Sequence, residues 1–276
     1  MRETNLLNVF LISLKEKTDL QKPFVDNIKN LNLLHGVDAR SNGFVYKNYG
    51  LELDPPDKIA KIEFSKNKGQ IGCYLSHYKI WKTIIEKDMK YSLVLEDDAN
   101  ISDVVNLIEN EKNSVIDKLS SKKPLLIQYN KRTPHEQLPW WFDGTESYAI
   151  NKSAAKVLLN NTHDFSALQN KFIEYAWNWP DLKRGAYGLF KKYANYDQKL
   201  DFTKKNTIRY AIDKFIGYCS LPYNCVENRL GINVDNKISL IENNLSEIRI
   251  GKQVWTMSET EIEEFEKDDS YMWWDK

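Results

Sequence analysis

Short, almost entirely apolar runs alternate along this chain with longer amphipathic segments, and this alternation limits the folds that the chain can adopt. The first run covers residues 6–14 and the second covers residues 91–95. Apolar runs of this length are typical of strands that are buried on both faces of a sheet. Because helix-like segments separate them, we predict an α/β fold in which a single, mostly parallel sheet is flanked by helices.

The same patterns give approximate bounds for the other elements. Helices are predicted at 19–33, with Thr18 as the cap, and at 70–86, 104–119 and 153–159. Two further strands are predicted at 124–129 and 148–150. Residues 40–58 contain two glycines and two prolines, which indicates a loop.

The expected organisation is one domain over residues 1–276, because a chain of this length can bury a core of its own. Residues 160–205 interrupt the alternation and concentrate Trp and Tyr. They are predicted to form a partly helical insertion or lid on the acceptor side, because aromatic faces stack on sugar rings. The alternative is a satellite core whose aromatic side chains only cover the sheet. Residues 256–276 are predicted to form an acidic helical tail, in which Ser258 and Glu261 make a capping box.

Charge and cysteine content narrow the class of protein. Basic and acidic residues number 39 each, whereas proteins that coat nucleic acid usually carry a basic excess, so no nucleic-acid partner is expected. Three cysteines, Cys73, Cys219 and Cys225, are too few and too scattered to predict a disulfide framework or a zinc site, and a reducing compartment is the default expectation. No apolar run reaches the length of a membrane span, and the first run lacks the flanks of a signal peptide. We expect a cytoplasmic protein without a transmembrane segment, with peripheral membrane association and a viral origin as alternatives.

Three consecutive acids, Glu96, Asp97 and Asp98, follow the second apolar run. In open α/β sheets, ligands bind outside the carboxyl ends of the strands. Alternation along a strand would place Glu96 and Asp98 on one face and Asp97 on the other. Clustered carboxylates suit Mg²⁺ or Mn²⁺. The alternative is an acidic turn that caps the next helix, although a cap does not need the apolar run before it.

Two polar residues of the predicted helix 70–86 are candidate site residues. The helical periodicity puts Ser76 on the polar arc and His77 inside the apolar arc. His77 is then either a packed core histidine with one satisfied hydrogen bond or a residue beneath a ligand. Geometry alone favours the packed histidine.

Two segments, 69–77 and 93–99, closely resemble the signature of glycosyltransferase family 25. They read Gly-Gln-Ile-Gly-Cys-Tyr-Leu-Ser-His and Leu-Val-Leu-Glu-Asp-Asp-Ala. The family includes lipooligosaccharide galactosyltransferases and collagen-type hydroxylysine galactosyltransferases. The resemblance spans roughly residues 6 to 240 through further matching segments at 9–14, 35–39, 144–155 and 208–213. Lys15, Lys17 and Ala211 depart from the family pattern, which usually has arginines after the first strand and a proline before the last aspartate.

The resemblance implies a GT-A type fold, a UDP-sugar as donor and Mn²⁺ or Mg²⁺ as the cation. It implies that Asp98 is the direct metal ligand, with Glu96 as a further ligand. Glu96 and Asp97 would also hold metal-bound water or ribose hydroxyls. The remaining residues that the matching segments assign to donor binding are Ser13, Leu14, Asp38, Ser76 and His77.

An inverting sugar transfer needs one more carboxylate, which takes the proton of the acceptor hydroxyl. Asp213 is the leading candidate, because it ends the last segment that resembles the family. Glu146 is the second candidate.

Three functions remain open. The first is an inverting hexosyltransferase, with galactose or glucose as the sugar and a glycan or a hydroxylysine-type protein side chain as the acceptor. The second is a metal-dependent phosphoryl-transfer or nuclease enzyme, because acids after strands also serve two-metal sites. That function predicts a basic groove, which the neutral charge balance disfavours. The third is a non-catalytic sugar-binding module of the same fold, which would tolerate loss of the triplet.

Overall fold

The computed structural model describes residues 6–53, 68–130, 144–164, 205–208, 212–220 and 226–232. Most of the predicted insertion at 160–205 and the whole predicted tail at 256–276 lie outside these residues. None of the helices in the described ranges is both long and apolar enough to cross a membrane.

A six-stranded sheet forms the centre of the described structure. Its strands, in chain order, are β1 (Leu7–Ser13), β2 (Leu31–His35), β4 (Tyr91–Glu96), β5 (Leu126–Asn130), β6 (Ser147–Asn151) and β8 (Val226–Ile232). Their order across the sheet is β2-β1-β4-β6-β5-β8. β6 alone runs antiparallel to its two neighbours, and the other three pairs are parallel. The short strands β3 (Glu52–Leu53) and β7 (Thr207–Ile208) pair separately.

Helices cover both faces of this sheet. They are α1 (Thr18–Asn27), α2 (Lys68–Glu86), α3 (Ile101–Asn106), α4 (Lys112–Leu119), α5 (Lys152–His163) and α6 (Ile212–Ser220). One π-helical turn, Leu107–Glu111, joins α3 to α4. The α/β class with a mostly parallel sheet between helices is therefore confirmed.

Alternate side chains of the central strands enter two separate cores, as the twofold repeat of a strand requires. Phe10, Ile12 and Val94 pack on one face with residues of α2, α5 and α6. Leu11 and Leu95 point to the other face and pack with residues of α1, α3 and α4. Burial on both faces explains why the strand runs are almost wholly apolar.

The helix predicted at 19–33 is wrong in its second half, because α1 ends at Asn27 and β2 follows. Ile28 has extended backbone angles, and Asn30 adopts a φ of 61°, which asparagine tolerates better than most residues. Thr18 is the first helical residue and not the cap, since Lys17 occupies the cap position without a side-chain hydrogen bond.

Three other predicted elements differ from the observed ones by more than two residues. The helix expected from 104 begins at Ile101, because the Asn100 side chain accepts hydrogen bonds from the backbone N–H groups of Ser102 and Asp103. The helix expected to end at 159 continues to His163, into the first residues of the predicted insertion. The predicted loop at 40–58 contains a 3₁₀ turn, Tyr46–Tyr49, and the strand β3.

The order of the strands places a topological switch point at one edge of the sheet. β1 pairs with β2 on one side and with β4 on the other, so the chain changes direction across the sheet at β1. Ligands bind at such switch points, outside the carboxyl ends of the strands. The carboxyl ends of β1, β2 and β4 meet at this edge, together with the start of the antiparallel strand β6. We call it the strand-end edge.

Candidate active site

The acid triplet forms a tight turn at the carboxyl end of β4. The strand ends at Glu96, and the Ala99 N–H donates to the Glu96 carbonyl at 3.1 Å, which places Asp97 and Asp98 at the corners of the turn. The strand alternation predicted for Glu96 and Asp98 therefore does not extend past Glu96. The alternative that the triplet caps the next helix is also wrong, since Asn100 caps it.

Glu96 is held at one carboxylate oxygen by three side chains. The Thr145 hydroxyl donates to Oε1 at 2.5 Å, and His77 Nε2 lies 3.1 Å from the same oxygen. The Cys73 thiol lies 3.8 Å from it. Donors from α2 and from the segment before β6 thus fix the carboxylate between two elements, with 16% of its side chain exposed.

A buried hydrogen-bond chain connects Trp81, Tyr148 and His77. Trp81 Nε1–H donates to the Tyr148 hydroxyl at 3.1 Å, and the same hydroxyl lies 2.8 Å from His77 Nδ1. Burial raises the pKa of the Tyr148 phenol well above its usual range. The other ring nitrogen of His77, Nε2, lies 3.1 Å from Glu96 Oε1, so the chain of contacts ends at the acid triplet.

His77 is fully buried, which confirms its predicted position inside the apolar arc. The packed interpretation expected one satisfied hydrogen bond, whereas both ring nitrogens are bonded. The same bonds connect the residue to Glu96 at the strand-end edge, so the two interpretations of His77 do not exclude each other.

Asp97 ties the end of β4 to the end of β1. Its carboxylate accepts a hydrogen bond from the Ser13 hydroxyl at 2.6 Å, and Gln21 donates both to Ser13 Oγ, at 3.3 Å, and to the Leu14 carbonyl, at 2.7 Å. Burial raises the pKa of the Asp97 carboxyl, and the charge of Glu96 adds to this, while the Ser13 bond and Lys17 oppose it. Such a raised carboxyl pKa marks a place where a cation would be favoured.

The turn after β2 docks on α2 through Ser76. The Ser76 hydroxyl accepts from the Val37 N–H at 2.8 Å and donates to the Gly72 carbonyl at 2.7 Å. Ser76 is only 2% exposed, so this part of the predicted polar arc faces a turn of the chain and not solvent. The Asp38 carboxylate in the same turn accepts hydrogen bonds from the backbone and the side chain of Arg40. Burial raises the pKa of Asp38, but the bonds and the charge of Arg40 outweigh burial, so the pKa is lowered overall.

Gly72 is required where that turn meets α2. A Cβ at this position would lie 2.2 Å from the Val37 carbonyl oxygen. We therefore expect Gly72→Ala to lower the free energy of unfolding by about 1–3 kcal/mol, the usual cost of overpacking. Chemical denaturation measures this loss. Gly36→Ala is the matched control, because its Cβ would make ordinary contacts at 3.4 Å or more. Equal losses in the two variants would contradict the close approach.

The structure describes the surroundings of one of the two candidate bases. Glu146 is 4% exposed at the strand-end edge, where its carbonyl accepts the Glu96 N–H at 2.8 Å. Its carboxylate lies against Gly144, whose φ of 73° and lack of a side chain make room for it. Asp213 is the second residue of α6, and its side chain lies outside the described residues.

Sequence reasoning did not single out Thr145, Cys73, Tyr148 or Gln21. Thr145 and Tyr148 lie within the segment 144–155 that resembles the family, and Cys73 lies within the segment 69–77, but no residue-type pattern marks them as partners of Glu96. Their contacts join residues that are far apart in the chain, and only the fold brings these residues together. Of the predicted residues, hydrogen bonds connect Ser13 to Asp97, and His77 and Glu146 to Glu96. Leu14 and Asp98 adjoin these residues in the chain, and Ser76 holds the turn that carries Asp38.

The hydroxyl of Thr145 donates a hydrogen bond to the Glu96 carboxylate, and such bonds contribute more to stability than bonds between neutral groups. We expect Thr145→Val to lower the free energy of unfolding by about 1.5–3 kcal/mol, the range for hydrogen bonds to charged groups. The matched control is Thr162→Val, which removes only neutral bonds to Tyr74 and the Leu158 carbonyl. It should cost about 0.5–1.5 kcal/mol. Urea unfolding of both variants compares the losses, and a reversed order would contradict the assignment.

The sequence of this chain was compared with models of known protein families. A profile of glycosyltransferase family 25 (LPS biosynthesis protein) matches residues 6–173, which is more than half of the chain. The chain belongs to glycosyltransferase family 25. The resemblance stated from the motifs is thereby confirmed, and the matched range contains the triplet, α2 and Glu146.

Curated family-25 relatives match over about a third of this chain. Procollagen galactosyltransferase 2 from Homo sapiens is 28% identical over 96 residues, which are 33% of this chain and 15% of that protein. Procollagen galactosyltransferase 1-B from Xenopus laevis is 34% identical over 95 residues, 33% of this chain and 16% of that protein. The inactive glycosyltransferase 25 family member 3 from Mus musculus is 28% identical over 100 residues, 34% of this chain and 17% of that protein. The matched part is thus a small share of each relative.

Proposed function

We propose that this chain is a metal-dependent, inverting hexosyltransferase that moves galactose or glucose from a UDP-sugar to a glycan or a hydroxylysine-type acceptor. The observation that supports it most is the acid triplet at the switch point of a family-25 chain. Asp97 bonds to the end of β1, and Glu96 is clamped from α2 and the segment before β6.

The residues at this edge fit a hard divalent cation. Asp98 is only 5% exposed and lies in one turn with Asp97, whose pKa is raised by burial. Carboxylates concentrated in a poorly hydrated place favour a cation, and oxygen ligands suit Mn²⁺ or Mg²⁺. Asp98 and Glu96 would hold the ion. When bound, such an ion offsets the negative charge that develops on a diphosphate leaving group.

The protein's own residues prepare this place for the donor. The bond between Asp97 and Ser13 joins two strand ends, and the bond between Ser76 and Val37 holds the turn that carries Asp38 beside them. These buried bonds lock the edge before a ligand arrives, which lowers the cost of ordering it on binding. Ser13, Leu14, Asp38, Ser76 and His77 therefore act on the donor through the shape of the edge.

The names of some relatives favour a second candidate function. Family member 3 is described as inactive in Mus musculus and Homo sapiens, so a chain of this family need not transfer sugar. A non-catalytic sugar-binding module would keep the fold without turnover.

The cytoplasmic location and the lack of a nucleic-acid partner stay predictions from the sequence.

Two measurements on the wild-type chain test the proposal. UDP with Mn²⁺ should raise the melting temperature, and EDTA should abolish the shift. A panel of UDP-galactose, UDP-glucose, UDP-GlcNAc and GDP-mannose should then show metal-dependent hydrolysis of a UDP-hexose. Absence of the shift, or a shift that EDTA does not abolish, would contradict the metal-dependent hexosyltransferase. Little stabilisation by UDP together with no hydrolysis and no transfer would favour the non-catalytic module.

A further inference from the structure

We propose that Cys73, His77 and Glu96 form a second type of metal site, which takes Zn²⁺ or another borderline-soft divalent ion. The three ligand atoms, one sulfur, one nitrogen and one oxygen, all lie within 4.8 Å of one another. His77 Nε2 is 3.1 Å and Cys73 Sγ is 3.8 Å from Glu96 Oε1. Separations of this size suit neighbouring ligands of a tetrahedral ion bound at about 2.0–2.3 Å.

The local fold explains why the ligands converge. Cys73 and His77 are four residues apart on α2 and therefore share one face of the helix. Glu96 is the last residue of β4, against which this helix packs. Two rigid elements thus supply all three ligands, as a precise site requires.

The surrounding bonds form the support that metal ligands usually have. Thr145 orients the Glu96 carboxylate, and Tyr148 contacts the other nitrogen of His77, Nδ1. An ion at Nε2 leaves His77 Nδ1 in contact with Tyr148 Oη at 2.8 Å, and this contact would orient the ring. Cys73 would give up its thiol proton to solvent. One thiolate and one carboxylate then neutralise the ion.

The site also has an entry route and an open position. Cys73 and Glu96 are both partly exposed at the strand-end edge, while His77 forms the buried floor. Three protein ligands leave the fourth position of a tetrahedral ion for water or another ligand. Sulfur and nitrogen ligands distinguish the site from the all-oxygen place at Asp98, because they favour Zn²⁺ and Co²⁺ over Mn²⁺ and Mg²⁺.

Glu96 is a ligand in both proposed metal sites, the one with Cys73 and His77 and the one with Asp98. Because the proposed transfer uses Glu96 with Mn²⁺, an ion held by Cys73 and His77 would withdraw that carboxylate. Zn²⁺ should therefore inhibit Mn²⁺-dependent transfer. This consequence alone rests on the proposed function, whereas the binding site itself does not.

Cobalt spectroscopy tests the site without turnover. The full chain, reduced and stripped of metal, is titrated with Co²⁺, and the near-ultraviolet band of a cobalt–thiolate bond is followed. We expect the band to saturate at one equivalent and to disappear when Zn²⁺ is added. Cys73→Ser should abolish it, and His77→Gln should weaken Co²⁺ binding on the order of 100-fold, at the upper end of losses seen even for outer-shell partners of a metal.

Cys219→Ala is the matched control, because Cys219 is also a free cysteine but lies buried in the hydrophobic core and is not one of the three proposed ligands. Its band should equal that of the wild-type chain. Absence of the band in folded wild-type protein, or its survival in Cys73→Ser, would overturn the site. Circular dichroism shows which variants are folded, and Cys73→Ser, at a partly exposed position, keeps the test decisive if His77→Gln does not fold. A cobalt band without any sugar transfer would contradict the proposed function and leave the metal site standing.

Discussion

Asp98→Ala is expected to lower metal-dependent sugar transfer on the order of 100-fold or more, the usual loss when a main electrostatic group is removed. Asp98 lies at a corner of the turn that closes β4, and its side chain is nearly inaccessible to solvent. The proposed cation would lose its direct ligand in this variant. The loss should come with a large rise in the Mn²⁺ concentration that gives half-maximal activity, which steady-state kinetics at several Mn²⁺ concentrations measure.

Two further variants separate this role from a structural one. Asp98→Asn keeps the size of the side chain but removes its charge, so it should melt near the wild-type temperature and remain deficient in transfer. Asp117→Ala, an exposed aspartate on α4, should match wild type in both measurements. Turnover of Asp98→Ala within a few-fold of wild type, with the same Mn²⁺ dependence, would show that Asp98 is not the metal ligand.

The central strands were predictable because burial leaves a strong signal. β1 and β4 are buried on both faces, so their sequences are almost uninterrupted apolar runs. β2 was not predictable, since none of its five residues is fully buried and its partly exposed pattern continues that of α1. β8 gave no clear signal either. It pairs at the sheet edge with β5, and this pairing depends on contacts distant in sequence.

The sequence allowed us to predict the acid triplet of the candidate site, but not the side chains that form hydrogen bonds with it. The triplet is conspicuous because it follows a buried strand, and its position at the strand-end edge agrees with the general rule for α/β sheets. The direction of each carboxylate depended on where β4 stops. Alternation fails once the chain turns at Glu96, so Asp97 contacts Ser13 on the neighbouring strand, which the face pattern did not anticipate.

Asp213→Asn is expected to slow transfer by about 10²–10⁴-fold, the range for loss of a general base. A base acts on the acceptor hydroxyl only in the transfer step, so UDP affinity measured by calorimetry with Mn²⁺ should stay within about twofold of wild type. A carboxylate in the first turn of a helix can also stabilise that helix, typically by about 0.3–1 kcal/mol. This structural role would leave transfer almost unchanged, so kcat distinguishes the two.

Glu146→Gln is the comparison that decides between the two candidate bases. Glu146 lies at the strand-end edge, next to the backbone of Glu96, so its replacement should disturb donor binding together with transfer if it only shapes the edge. If Glu146 is the base, Glu146→Gln will instead show the loss of kcat with intact UDP affinity, and Asp213→Asn will transfer sugar normally. A collapse of UDP affinity in Asp213→Asn would assign Asp213 to the donor site or the scaffold. The pattern of the two variants therefore identifies the base, because only the true base separates donor binding from transfer.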